Sequence, residues 1–512
     1  MSTLSRRIFM AGSGALLGVP VLGAGAARNP FTLGVASGSP RPEGVVLWTR
    51  LAPEPLRGGG MPMGTAFVRY RVCSDPDMRR TVRDGVAETS EAKAHSVHVT
   101  LRGLEPGREY WYQFYHGEDA SPVGRTRTAD PRAGTARLAL ASCNSYEAGY
   151  FAAYGDMARW APDCVIHVGD YIYEGGRSPR SVERQVAGRM LGFTNVREHD
   201  GPEVVSLWQY RNRHALYRSD PQLQAAHAAS PWIVAMDDHE VDNNWAGDVP
   251  EDPWAQTPLE FKVRKLAALQ AYYEHMPIEQ PPLLDGLDAS LRMYGAWQFG
   301  PALVHLLDTR QHRSDQPCGD GFPGQAGCEQ LSDPTLTMTG AAQERWLLDS
   351  LRRSAAPFNV IASQTWFAPY RYDSPGGKAP VVNMDQWDGY PLQRQRIIDA
   401  LAAGVPNPVV LSGDWHCSAA MRIHQDPWDT RSRRIGHNYC GTSVSSHCPW
   451  WQVLADAKAF NPHVDHVNGA QRGYLRFEVD RREWKTDFRI VLDPGRADSA
   501  VGSDLQVSTR DT

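Results

Sequence analysis

Four segments of this sequence carry residues that could bind a cation or move a proton, and each follows an apolar run. Cys164-Val165-Ile166-His167-Val168-Gly169 leads into Asp170 and, three residues on, Tyr173. Arg137–Ala141 ends at Ser142-Cys143-Asn144. Pro231–Met236 ends at Asp237-Asp238-His239-Glu240, with Asn243-Asn244 close behind. Val409–Leu411 ends at Ser412-Gly413-Asp414-Trp415-His416. Short apolar runs that stop at glycine or a polar cluster read as buried strands reaching a sheet rim. Open α/β sheets place ligands outside the carboxyl ends of their strands, so these polar residues stand where a site belongs. Each alone has a plainer explanation. Asp-Asp can cap a helix or a turn, His416 can be hydrogen-bonded scaffolding, and Cys143 can be a small apolar side chain. Together they argue for a metal centre, because carboxylates gathered on one rim repel unless cations neutralise them.

Donor type narrows the chemistry. Cys143, Asp170, Tyr173 and His416 offer a thiolate, a carboxylate, a phenolate and an imidazole. That set suits a transition metal, with phenolate favouring ferric iron. Asp237, Asp238, Asn244 and Asp414 are hard oxygen donors that suit Ca²⁺, Mg²⁺ or Mn²⁺. Asp170 is placed to bridge the two kinds of ion. Paired cations clamp a phosphoryl group and lower the pKa of a bound water, the two-metal route to phosphate ester hydrolysis. His239 is a candidate to protonate the leaving alkoxide. Leu303–Leu307 ends at Asp308-Thr309-Arg310, and Arg310 could pair with phosphate oxygens. Its alternative is a buried arginine bonded to loop carbonyls or to Asp308.

The elements that must position these residues follow from hydrophobic period. From Phe31 to about Arg127 the pattern is all-β. Val68, Tyr70 and Val72 alternate with arginines, and Val97, Val99, Leu101 and Tyr110, Tyr112, Phe114 alternate with polar or exposed positions. Leu104-Glu105-Pro106-Gly107 running into Tyr110 matches the tyrosine corner of immunoglobulin- and fibronectin-like sandwiches. Residues 28–130 are therefore read as a small β-sandwich without a metal cluster, and Ala129–Gly134 as a linker. From Thr135 to the C-terminus strands alternate with helices. The clearest helix has Thr257 as N-cap, Pro258 first, Glu260 closing a capping box and Pro277 beyond its end. A late block of strands, Tyr474–Val479 and Trp484–Val491, favours a layered sandwich over a barrel. The polar stretch Gly495–Thr512 shows no periodicity and receives no element.

Ser5-Arg6-Arg7-Ile8-Phe9-Met10, a Gly-broken apolar run and Ala24-Gly25-Ala26-Ala27 predict a twin-arginine export signal over residues 1–27. The protein is thus expected to pass through the Tat machinery to the periplasm or beyond the cell. A net charge of −5 does not suggest a nucleic-acid-binding surface. Among eight cysteines, Cys318 and Cys328 flank a Gly/Pro-rich loop and form the best disulfide pair. Cys440 and Cys448 are a weaker second pair, and Cys164 reads as inert core.

These motifs resemble the alkaline phosphatase D (PhoD) branch of the calcineurin-like metallophosphoesterase superfamily. The resemblance rests on Ala141–Asn144, Gly169–Glu174, Asp237–Trp245, Leu307–Arg310, Asp385–Tyr390 and Gly413–His416, with the twin-arginine leader and the β-sandwich ahead of them. It implies a four-layer α/β sandwich and hydrolysis of phosphomonoesters and phosphodiesters at alkaline pH. It also implies Fe³⁺ on Cys143, Asp170, Tyr173 and His416, and Ca²⁺ on Asp170, Asp237 or Asp238, Asn244 and Asp414. The superfamily's opening D-x-H is absent, with Cys143 at its place, and its G-H-x-H is here Gly413-Asp414-Trp415-His416. Both departures argue against a di-zinc or di-manganese enzyme. The competing expectations are a phospholipase D-like phosphodiesterase, a purple acid phosphatase-like enzyme that the missing imidazoles disfavour, and a non-catalytic cell-surface binding protein.

Overall fold

The computed structural model describes residues 29–186, 189–319, 321–376 and 379–510. The leader assigned to residues 1–27 lies outside them. Two large sheets are stacked face to face. The first has nine strands, in spatial order Val501–Arg510, Glu483–Val491, Arg472–Asp480, Thr135–Ala141, Cys164–His167, Pro231–Val234, Val35–Arg41, Gly44–Arg50 and Ser96–Arg102. The second has seven, in the order Gly295–Phe299, Ala302–Leu306, Phe358–Ala362, Pro408–Ser412, Arg434–Cys440, Ser418–His424 and Val464–Asn468. At the centre of each sheet the neighbours are parallel.

Those central strands are almost wholly apolar because both of their faces are covered. Leu138, Leu140, Ile166 and Ile233 point between the sheets and meet Val304, Val360, Val409 and Leu411 there. One residue along, Ala139, Val165, Trp232 and Val234 face outward, onto helices Ala152–Trp160, Leu207–Arg218, Pro221–Ala229 and Pro258–His275. Behind the second sheet, Ile361 and Val410 meet Leu347, Leu351, Ile397 and Ile398 of helices Gly340–Arg353 and Pro391–Ala402. The result is a helix–sheet–sheet–helix sandwich, layered as the sequence pattern predicts and four-layered as the family resemblance implies. The Thr257 capping box forms as well, with Pro258 leading the helix.

The N-terminal β region adds a five-stranded sheet built around Thr65–Cys73 and Glu109–His116. Its Val68, Val72, Tyr112 and Phe114 pack onto Val35, Val45, Leu47 and Val99. The tyrosine corner is present: the Glu105 amide donates to the Tyr110 hydroxyl at 3.0 Å. What the sequence pattern does not convey is that the opposing layer belongs to the nine-stranded sheet. Val35–Arg41 pairs in parallel with Pro231–Val234, so the sheet runs on through both regions and the strand edge is covered.

Three further differences emerge. Val501–Arg510, in the stretch left without an element, is an edge strand on Glu483–Val491. One face of it rests on the core only through Leu505 and Val507, too little apolar content to show as a period. Helices Leu207–Arg218 and Pro221–Ala229 lie between the strands without a clear apolar period in the sequence, although a Ser206/Gln209 capping box and an Asp220 N-cap announce them. Cys318–Cys328 is a disulfide, but Cys440 and Cys448 are free. The Cys440 sulfur instead accepts the Trp366 indole N–H at 2.8 Å inside the core. Cys164 is buried and free, as expected. Among the described residues no helix is long and apolar enough to cross a membrane.

Candidate metal centre

The strands Thr135–Ala141, Cys164–His167 and Pro231–Val234 of one sheet and Pro408–Ser412 of the other deliver the candidate ligands to one rim. The first two loops are stitched together: the Cys143 amide donates to the Gly169 carbonyl at 3.1 Å, and the Asn144 amide to Asp170 at 3.0 Å. Five candidate ligands have left-handed backbones, with φ of 58° at Cys143, 56° at Asp170, 51° at Asn244, 62° at Asp414 and 55° at His416. Such conformations cost on the order of 1–3 kcal/mol each and cluster where function requires a side chain to be re-aimed. Close approach of the loops also depends on Gly169 and Gly413. A Cβ on Gly169 would come within 2.4 Å of Asp237, and one on Gly413 within 2.3 Å of the Ser142 hydroxyl.

The side chains fall into two groups that share Asp170. Ligand atoms of Cys143, Asp170 and His416 lie within 4.8 Å of one another, as do those of Asp170, Asp237, Asp238 and Asp414. The Tyr173 hydroxyl joins the first group, donating to Asp170 Oδ2 at 3.0 Å and lying 3.0 Å from His416 Nε2. Asn244 borders the second, its amide donating to Asp238 Oδ2 at 2.9 Å. Asp170 Oδ1, Asp237 Oδ2 and Asp238 Oδ1 are buried without a hydrogen-bond partner. Buried carboxylate oxygens need a donor or a cation, yet no protein donor is within hydrogen-bond distance of these three, and only Asp238 Oδ1 has a guanidinium nearby, Arg310 Nη2 at 3.9 Å. The donor sets suit metal ions: sulfur, nitrogen and oxygen in one group, oxygen alone in the other. Cys143, Asp170, Asp237 and Asp238 form the buried floor. Tyr173, His239, Asn244, Asp414 and His416 are half-buried, so the centre opens on their side.

Electrostatics reflect this crowding. Burial, with Asp170 and Asp414 nearby, holds the Cys143 thiol well above its usual pKa. Burial and neighbouring carboxylates do the same to Asp170 and Asp414, and burial pushes Asp237 to about 7. Burial also acts to raise Asp238, but the cations of His239 and Arg310 outweigh it and hold that carboxyl low. The two histidines diverge. Burial lowers His416 to about 3, and its Nδ1–H donates to the His447 carbonyl at 2.6 Å, leaving Nε2 as the acceptor. Burial opposes charge on His239 too, yet Glu174, Asp238 and Asp170 raise its pKa well above the ordinary value. His239 Nδ1 lies 2.7 Å from Glu174 Oε2, and its ring packs against Tyr173 with centroids 4.1 Å apart and planes tilted by 32°.

Arg310 departs from its expected phosphate contact. It is fully buried, with Nε on Asp237 Oδ1 at 2.6 Å and Nη1 and Nη2 on the two oxygens of Asp385 at 2.8 and 2.7 Å. All three nitrogens are engaged by carboxylates, so its place is behind the site. Sequence reasoning passed over several supporting residues. Glu240 accepts the amides of Asp170, Tyr171 and Asp237 at 3.1, 2.5 and 2.8 Å and so ties two loops together. Gln386 donates to Asp414 Oδ2. Glu174, Glu240, Asp385 and Gln386 all sit inside the motifs quoted above, and that membership was the available signal.

Comparison with known proteins places the chain in a family. The family described as PhoD-like phosphatase matches residues 138–488, and its N-terminal domain matches residues 19–130. Alkaline phosphatase D of Bacillus subtilis (strain 168) is 42% identical over 527 aligned positions, covering 98% of this chain and 87% of that protein. A solved structure described as PhoD superposes with a TM-score of 0.87 at 40% identity, covering 95% of this chain and 92% of the other. With these matches spanning nearly its whole length, the chain belongs to the PhoD-like phosphatase family and is an enzyme of the phosphatase class.

Proposed function

We propose that this protein is an exported, metal-dependent phosphoester hydrolase acting on monoesters and diesters at a mixed iron and calcium centre. Cys143, Asp170, Tyr173 and His416 would hold ferric iron. Asp170, Asp238 with Asp237, Asn244 and Asp414 would hold calcium. One observation carries the reading: three buried carboxylate oxygens accept no hydrogen bond from the protein, and their residues converge with Asp414 beside the Cys143–His416 group. Bound cations would offset phosphoryl charge and lower the pKa of the attacking water.

The chain's own residues do the rest. The His447 carbonyl fixes the Nδ1 proton of His416, so that Nε2 faces the centre with its lone pair. Glu174 keeps His239 protonated, and its Nε2–H serves the leaving alkoxide as general acid. Arg310 acts through Asp237: by engaging Oδ1 it turns Oδ2 toward the centre. A vestigial binding protein would be missing ligand types, and none is missing here. The phospholipase D-like alternative is not favoured by the family match.

The test is metal analysis of protein exported through the twin-arginine route, alongside Cys143→Ser. About one iron per chain with calcium, a visible phenolate-to-iron absorption band, and loss of iron in the variant are expected. Zinc or manganese with a neutral Cys143→Ser would overturn the iron assignment. Export itself rests on Arg6 and Arg7, with the Cys318–Cys328 disulfide suiting an oxidising compartment. Replacing both arginines with lysine should leave the protein in the cytoplasm, as cell fractionation would show.

A further inference from the structure

We propose that the rim beside His416 is a subsite for a planar aromatic group, carried on the ester arm that stays bonded to phosphorus. This rests on the hydrolase reading above and narrows its substrate class to phosphodiesters with an aryl or nucleoside arm. Rings lead outward from the centre in sequence. Trp450 lies 5.5 Å from the His416 ring, and Trp415 lies 5.4 Å from Trp450. Phe322 packs on both indoles, at 5.1 and 5.7 Å, while 51% of it stays exposed. No charged side chain belongs to this series.

The ledge is held in place before any ligand arrives. Trp415 Nε1 donates to the Tyr372 hydroxyl at 3.0 Å. The Cys318–Cys328 disulfide closes the loop that bears Phe322. Gln316, just before that disulfide, anchors the loop to the site, donating to the Asn244 carbonyl at 2.8 Å and to Asp385 Oδ1 at 2.7 Å. A phosphate alone gains nothing from an exposed phenyl ring backed by two indoles. A flat apolar group does, because stacking and burial need little further ordering of fixed rings.

Tyr173 sets the direction. Its ring lies 4.1 Å from that of His239, whereas His416 is met by its hydroxyl at 3.0 Å with the rings 6.4 Å apart, so the two histidines touch different parts of this side chain. An ester whose leaving oxygen faces His239 therefore extends its retained arm toward His416 and the ledge.

Steady-state hydrolysis of bis(p-nitrophenyl) phosphate and methyl p-nitrophenyl phosphate by the as-purified enzyme tests this. Both esters release p-nitrophenolate, so only the retained arm differs. Phe322→Ala should cut kcat/KM for the bis-aryl ester about fivefold or more, mainly through KM, with about a twofold change at most on the methyl ester. Phe322→Trp should restore the difference. A matching loss on thymidine 5′-(p-nitrophenyl phosphate) would support a nucleoside arm. A loss confined to the bis-aryl ester would support a simple aryl arm. Equal losses on aryl and methyl esters, or no loss on either, would overturn the subsite. If the wild-type enzyme hydrolysed none of these esters, the reading of the centre itself would fail, and the subsite with it.

Discussion

Asp385 and Asp170 are equally deep in the protein, 3% and 1% exposed, and both border the same site. Their surroundings differ. Asp385 receives both terminal nitrogens of Arg310 and the Gln316 amide, and Arg313 Nη1 lies 3.0 Å away. Burial acts to raise its pKa, but the two guanidinium cations win and hold it below the carboxylate range. Asp170 has no guanidinium partner, and its Oδ1 meets no donor. Burial and the nearby Asp238 charge therefore drive its carboxyl well up. The chain supplies two guanidinium cations to one buried acid and none to the other, which in the proposed reading is neutralised by a bound metal ion. A buried carboxylate thus marks a metal centre only when the protein does not neutralise it, which sequence spacing alone does not reveal.

That contrast can be broken from either side. The largest effect is expected at Asp170, which both ligand groups share. Asp170→Asn should lower phosphoester hydrolysis on the order of 10³-fold and reduce bound metal at the same time. Retained metal with lost activity would mean that Asp170 is not a ligand. On the other side, Arg310→Met leaves buried Asp237 without its cation and Asp385 with Arg313 alone. It should destabilise the fold by about 3–5 kcal/mol in urea unfolding. A neutral result would show that the pairs with Asp237 and Asp385 contribute nothing net.

Gln386→Ala removes the donor to Asp414 and also the Oε1 that accepts the buried Trp366 amide at 2.6 Å, so a loss of about 10–100-fold in activity or metal affinity is expected, with a stability loss of about 1–3 kcal/mol. The smallest effect should appear in metal-free protein. The folded pKa of Asp170 is raised, so the unfolded chain ionises it first, and stability falls as pH rises above about 4. Asp170→Asn should therefore stabilise the metal-free protein at pH 8, by about 1–3 kcal/mol, and this gain should shrink as pH falls toward 5. A gain independent of pH, read from thermal melts, would remove charge as its cause.

Much of this was legible beforehand where the signal is local. Apolar runs ending in Gly169-Asp170 or Gly413-Asp414 located strand ends, and Thr257-Pro258-x-Glu260 located a helix start. The tyrosine corner announced itself through Tyr110. The edge strand Val501–Arg510 stayed hidden because one face of it touches the core only through Leu505 and Val507. The fate of Cys440 depended on Trp366, 74 residues away.

The sequence by itself determined which residue types reach the rim, because hydrophobic period fixes where strands run and turn chemistry fixes where they stop. It thereby determined the layered fold and a donor set split between sulfur, nitrogen and oxygen on one side and oxygen on the other. Only the tertiary structure decided which charges meet. Arg310, at a strand end like the others, was free on paper to grip phosphate. Folding brought Asp237 and Asp385 within 2.8 Å of its nitrogens and left three carboxylate oxygens without a donor. The physical reason is range: strand and turn preferences act over a few residues, whereas pairing of buried charges depends on contacts between segments more than seventy residues apart.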